Sequence, residues 1–119
     1  MTNDTPRDFA AQAAEAIRSL NHATQNAKGA LTYPDDAYKV VAMLTLLAAR
    51  LPQAFEQLSA FLGVLAKTDK VTADYGTPDD HLGEARSALG SAALIAQTLS
   101  EFLDRVHSEL APLGYDTDA

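Results

Sequence analysis

The sequence has no cysteine and no tryptophan. Without cysteine there is no disulfide framework, no thiolate nucleophile and no thiolate metal site. Basic residues are scarce and scattered. Nine Lys and Arg stand against 16 Asp and Glu, a formal net charge of −7. That balance excludes the clustered positive surface that a nucleic-acid backbone requires. No apolar run approaches the roughly 20 residues of a membrane-spanning helix. The opening stretch MTNDTPRDFAAQ lacks the basic and then apolar regions of a signal peptide. A cytoplasmic protein with no membrane partner is expected. β-branched aliphatic residues are also few: Val40, Val41, Val64, Val71, Val106, Ile17 and Ile95.

Alanine and leucine fill the space that is left, and both lose little freedom in a helix. At 119 residues the chain reads as one domain, residues 1–119, with enough length for one core.

Start signals mark three helices. Thr5-Pro6-Arg7-Asp8 offers a cap, a proline suited to the first helical position and a capping-box acid. Apolar residues at Ala10, Ala13, Ile17 and Leu20 then step by three and four, so a helix is expected over about 6–28, stopped by Gly29. Pro34 opens a second helix with Asp35 and Asp36 in its first turn. Thr77-Pro78-Asp79-Asp80 opens a third over about 78–111, after a loop reading TDKVTADYGTP. An acidic tail, 112–119, is expected to be loose.

The second and third helices repeat every seven residues. In the second, Ala37, Leu44, Leu51, Leu58 and Leu65 form one row and Val40, Leu47, Ala54 and Phe61 another. Val41, Ala48, Phe55 and Leu62 form a third. The third helix carries Leu82, Leu89, Ala96, Leu103 and Leu110, then Ala85, Ala92, Leu99 and Val106, with Ala88, Ile95 and Phe102 alongside. The register crosses Pro52 without a slip, and no capping residue precedes that proline. One helix over 34–67, kinked at Pro52, is therefore expected, with the proline on the edge facing water.

The fold class is all-α: an antiparallel long-helix hairpin plus an N-terminal helix, with bundle-type packing. A two-stranded seam uses two apolar rows per helix, and each long helix has three. The surplus calls for completion by self-association, with a homodimer favoured, or for a protein partner. Val41, Phe55, Leu62, Ile95 and Phe102 are the expected interface residues.

No residue pattern points to catalysis. His81 and Glu84 share a helix face beside Asp80, but they supply two metal ligands at most. His107 lies three residues from Asp104 with no nucleophile aligned to it. No cofactor, metal site or enzymatic activity is expected.

The segments SLNHATQ (Ser19–Gln25), TYPDDAYKV (Thr32–Val40) and RLPQAFEQL (Arg50–Leu58) resemble a group of small helical proteins of actinobacteria, often encoded on mobile elements. That resemblance implies a helical fold and brings no activity. The hairpin also resembles the small secreted type VII substrates in shape and length. Their Trp-x-Gly turn is missing, since the loop here holds Asp74-Tyr75-Gly76.

The function expected is a non-catalytic protein–protein interaction module. The alternatives are a small acidic regulatory protein that binds a basic partner through Asp35, Asp36, Asp79, Asp80 and Glu84, or a secreted type VII-like helical hairpin.

Overall fold

The structure is a computed structural model that describes residues 3–25 and 29–117. Among these residues there are three α-helices and no strand: α1 (Pro6–Ala23), α2 (Pro34–Ala66) and α3 (Pro78–Leu110). The two long helices have 33 residues each, about 50 Å at the helical rise. They pack against one another as an antiparallel hairpin, and α1 packs to no comparable extent on either.

The start signals form as their chemistry dictates. Thr5 Oγ1 accepts from the Asp8 N–H at 3.3 Å, and Asp8 Oδ2 accepts from the Thr5 N–H at 3.0 Å. Thr77 caps α3 by accepting from the Asp80 N–H at 3.1 Å. At the start of α2 the capping carboxylate belongs to Asp36. Its Oδ2 accepts from the Thr32 and Tyr33 N–H groups, each at 2.9 Å.

Helix α1 ends at Ala23, short of the expected residue 28. Thr24 turns its hydroxyl back onto the Leu20 carbonyl at 2.9 Å, as Thr45 and Thr98 do onto Val41 and Leu94 inside the long helices, so this bond alone does not end α1; the lack of a packed neighbour does. Residues 26–28 lie outside the described part of the chain. Helices α2 and α3 end within one residue of the expected positions.

Two contacts fix the hairpin register. Tyr38 stacks on His107 near the open end, and Ser59 Oγ meets Arg86 Nε at 3.5 Å near the loop. Between these contacts α2 advances 21 residues (38 to 59) while α3 retreats 21 (107 to 86), three seven-residue repeats in each. The loop closes over the end of the pair. Val71 is partly covered in a pocket with Leu62, Pro78 and Leu82. Asp69 and Gly76 turn the chain at φ 57° and 65°, and His81 Nε2 donates to the Tyr75 carbonyl at 2.8 Å.

Helix α2 runs unbroken through Pro52, as the register implies. The proline does not face water, however. It is buried, one turn from Ala48, which is 1% exposed. The reason lies in which row forms the seam. Residues 38, 45, 52 and 59 point at α3, so the proline ring lies where the two long helices are closest. Ala93 and Ala96 are the buried residues opposite.

Candidate functional site

The inner seam differs from the one the leucine repeats suggest. In α2 one run of covered residues steps 38, 41, 45, 48, 52, 55, 59 and 62, and it contains both buried ones, Ala48 and Pro52. The seam is therefore built from Tyr38, Val41, Thr45, Ala48, Pro52, Phe55, Ser59 and Leu62. In α3 the row Leu82, Leu89, Ala96, Leu103 and Leu110 turns inward as expected. Its companion row is Arg86, Ala93, Ser100 and His107, one position beyond the expected Ala85, Ala92, Leu99 and Val106. The most deeply buried residues of this seam are small ones, Ala48, Pro52, Ala93 and Ala96, set among partly covered large ones such as Phe55, Leu62, Leu89 and Leu103. A further set of large apolar residues is left outside it.

Those outer residues are ordered. In α2 they step 37, 40, 44, 47, 51, 54, 58, 61 and 65, and in α3 they step 85, 88, 92, 95, 99, 102 and 106. Each set is a second seam at three- and four-residue spacing, rotated about 100° from the first around the helix axis. In an antiparallel pair of right-handed helices, equivalent positions flank the seam on the same side. Both second seams therefore open on one side of the hairpin. Their exposure matches that placement: Leu58 is 53%, Phe61 56%, Ile95 68% and Phe102 55% exposed, while Leu44, Leu51 and Leu65, nearer the seam, are partly covered.

The other side is different in kind. A shallow groove there holds Ala42, Leu46 and Ala49 with Ser100, Asp104 and His107. Further along that side come Gln53, Glu56, Gly83, Gly90 and Gln97. The hairpin has one apolar flank and one of small and polar residues.

The five expected interface residues fall in two places. Ile95 and Phe102 lie on the open apolar flank, and the Arg105 guanidinium sits 5.4 Å from the Phe102 ring centroid. Val41, Phe55 and Leu62 stand partly covered along the inner seam. The residues that accompany Ile95 and Phe102 are Leu47, Leu58, Phe61, Leu99 and Val106, all exposed. The repeat that contains them was visible in the sequence. Which repeat faced inward was not, because that choice follows residue size at the point of closest approach.

The candidate acidic surface is partly engaged within the chain. Asp35 pairs with Lys39 at 2.9 Å. The backbone amides of Tyr33 and Thr32 hold the Asp36 carboxyl below its ordinary value. Among the described residues no group of three or more His, Asp or Glu side chains is placed to hold a metal ion. No described helix is long and apolar enough to cross a membrane. Compared with protein-family models, curated proteins and solved structures, the chain gives no match.

The uncovered surface can be set against the size of the chain. A compact monomer of 12.6 kDa exposes about 6,200 Å², whereas this chain exposes 9303 Å². The radius of gyration, 19.8 Å, likewise exceeds the roughly 13.5 Å of a compact chain of this length. Over the whole chain the excess is about 3,100 Å².

Proposed function

We propose that this protein is a non-catalytic protein–protein interaction module. The hairpin is a rigid support, and its apolar flank buries itself against helices of a protein partner. One observation carries this reading: exposed large apolar residues share one side of the hairpin, Leu47, Leu58 and Phe61 on α2 and Ile95, Leu99, Phe102 and Val106 on α3. Exposed apolar patches of this extent mark interaction sites. The three- and four-residue steps suit a helical partner, since each side chain can enter a hole between four residues of a facing helix.

The acidic-regulator reading has less support. Asp35 is paired with Lys39, and Asp36 is committed to the backbone of its own helix start.

The test compares three tagged forms in a lysate of the native host: wild type, the double variant Ile95→Asp/Phe102→Asp, and Leu94→Asp, whose site is exposed off the apolar flank. Wild type and Leu94→Asp are expected to retain proteins that the double variant loses. Identical retained sets for all three would remove this role from the flank.

A further inference from the structure

Resting on that reading, we propose that the apolar flank has a cover within the chain itself: α1 folds back from the start of α2 onto the half of the flank nearest the open end, and a partner must displace it. Four observations meet in this.

The first is the pattern of α1. The charged residues Arg7, Asp8, Glu15 and Arg18 fall within about 100° of the helix circumference, and Phe9, Ala13, Ile17 and Leu20 lie opposite. Such a helix is patterned to bury one face. Yet none of its residues is buried, and Phe9 is 59% exposed. A lone helix of 18 residues is marginal in water, so this face gains stability only against another surface.

The second is reach. Ten residues, 24–33, join α1 to α2, a span of at most roughly 36 Å. Packed helices lie about 8–10 Å apart, so α1 can reverse and lie along the hairpin. Its 18 residues then cover about 27 Å, a little over half the length of the long helices.

The third is size. The register that sets residue 38 beside 107 and 59 beside 86 puts Leu44 and Leu47 level with Phe102 and Leu99. Large side chains therefore stand on both helices in this half of the flank, and a bulky third face would be held off them. Helix α1 instead brings Ala10, Ala13 and Ala16 to its apolar face, with Phe9 towards one end and Leu20 towards the other. Alanines let its backbone settle between the two rows.

The fourth is tethering. A segment on a short linker acts at an effective concentration on the order of millimolar. At micromolar protein, α1 outweighs an untethered helix of equal affinity by roughly a thousandfold. The cover is nonetheless light. Its alanines bury little, so it opens before the hairpin unfolds. Leu58 and Phe61 stay bare beyond its end, where a partner engages first.

Amide hydrogen exchange of the full chain at micromolar concentration tests this. The amides of α1 are expected to exchange at least tenfold more slowly in wild type than in Phe102→Asp, with no change on tenfold dilution. The substituted residue is on α3, so a free-standing α1 would not register it. Leu47→Asp gives the same reading from α2, should a charge at 102 disturb α3. Leu94→Asp, off the flank, should match wild type.

Amides of α1 that exchange as fast in wild type as in Phe102→Asp overturn the cover. So does protection that falls on dilution, which would put α1 on a second copy. If either is found and the capture experiment still separates Ile95→Asp/Phe102→Asp from wild type, the interaction module stands without this cover. If α1 is protected and the captured sets are identical, the module falls, and with it the role of α1 as a cover to be displaced.

Discussion

Tyr38 and His107 stack with ring centroids 4.1 Å apart and planes 20° apart, joining the start of α2 to the last turn of α3. The pair closes the open end of the hairpin, where no loop holds the helices together. Stacked rings contribute about 0.5–1.5 kcal/mol beyond the area they bury. A double-mutant cycle of Tyr38→Ala and His107→Ala, read by chemical denaturation, should give a coupling energy of about that size. Additive single effects would show that the stack is incidental.

Phe55 and Ile95 belong to the same expected interface but to different surfaces. Phe55 lies in the inner seam, so a charge there is placed against α3 itself. Phe55→Asp is expected to cost about 3 kcal/mol or more and to lower helicity. Ile95→Asp should cost the isolated hairpin under about 1 kcal/mol, because it replaces an exposed side chain. Thermal melts of the two variants under conditions where both are monomeric decide between these outcomes.

Pro52 is buried inside a helix and has no N–H to donate to the Ala48 carbonyl. An interior proline costs about 3 kcal/mol relative to alanine, and removing its ring from the seam gives up roughly 1–2 kcal/mol of burial. Pro52→Ala should therefore stabilise the hairpin by about 1 kcal/mol, read as a higher melting temperature. A lower one would mean that the seam is shaped around the ring.

Gly83 and Gly90 have open space where a Cβ would stand. The close helix approach that these glycines could serve does not occur at either position. Gly83→Ala and Gly90→Ala should each add about 0.5–1 kcal/mol by removing freedom from the unfolded chain. Gly63 makes a contrast within the same fold. A Cβ there would lie 3.0 Å from the Arg86 guanidinium, so Gly63→Ala should gain less.

The carboxyl of Asp36 is held below its ordinary value, first by the Tyr33 N–H and then by the Thr32 N–H. A group depressed on folding contributes stability that is present above its unfolded value and is lost as pH falls through its folded value. The start of α2 should therefore weaken from about pH 4 downward, where a free Asp titrates. Protection of the Thr32 and Tyr33 amides, relative to their intrinsic exchange rates, should fall over that window in the wild type. In Asp36→Asn, whose side-chain oxygen does not titrate, that protection should not change with pH.

Much of the fold was legible because capping chemistry is local. Thr5, Pro34 and Thr77 mark helix starts through bonds made within four residues, and the seven-residue repeats set helix type and length. On α3 the inward row Leu82, Leu89, Ala96, Leu103 and Leu110 was legible too, but on α2 the direction each repeat faces was not. The leucine rows look like the core on hydrophobicity alone, yet the helices meet along Ala48, Pro52, Ala93 and Ala96. On α3 the leucine row Leu82, Leu89, Leu103 and Leu110 does face inward and flanks the two buried alanines. The same reversal moved Val41, Phe55 and Leu62 inward and left Ile95 and Phe102 on the open flank. The end of α1 was missed for a different reason: α1 has no neighbouring helix to sustain its last turns, so it stops before the glycine that follows.

Helix α1 shares almost no surface with the hairpin, and this has a thermodynamic consequence. Cooperativity arises when one element cannot come apart without exposing another. Here α1 can unwind and leave the hairpin intact, held until then by its Thr5–Asp8 box and its own ladder of amide bonds. On warming, the first 20 or so residues should lose order gradually and early, as an 18-residue peptide does, ahead of a sharper collapse of the rest. The chain would then behave as two thermal bodies on one thread, unless some surface arrives to join them.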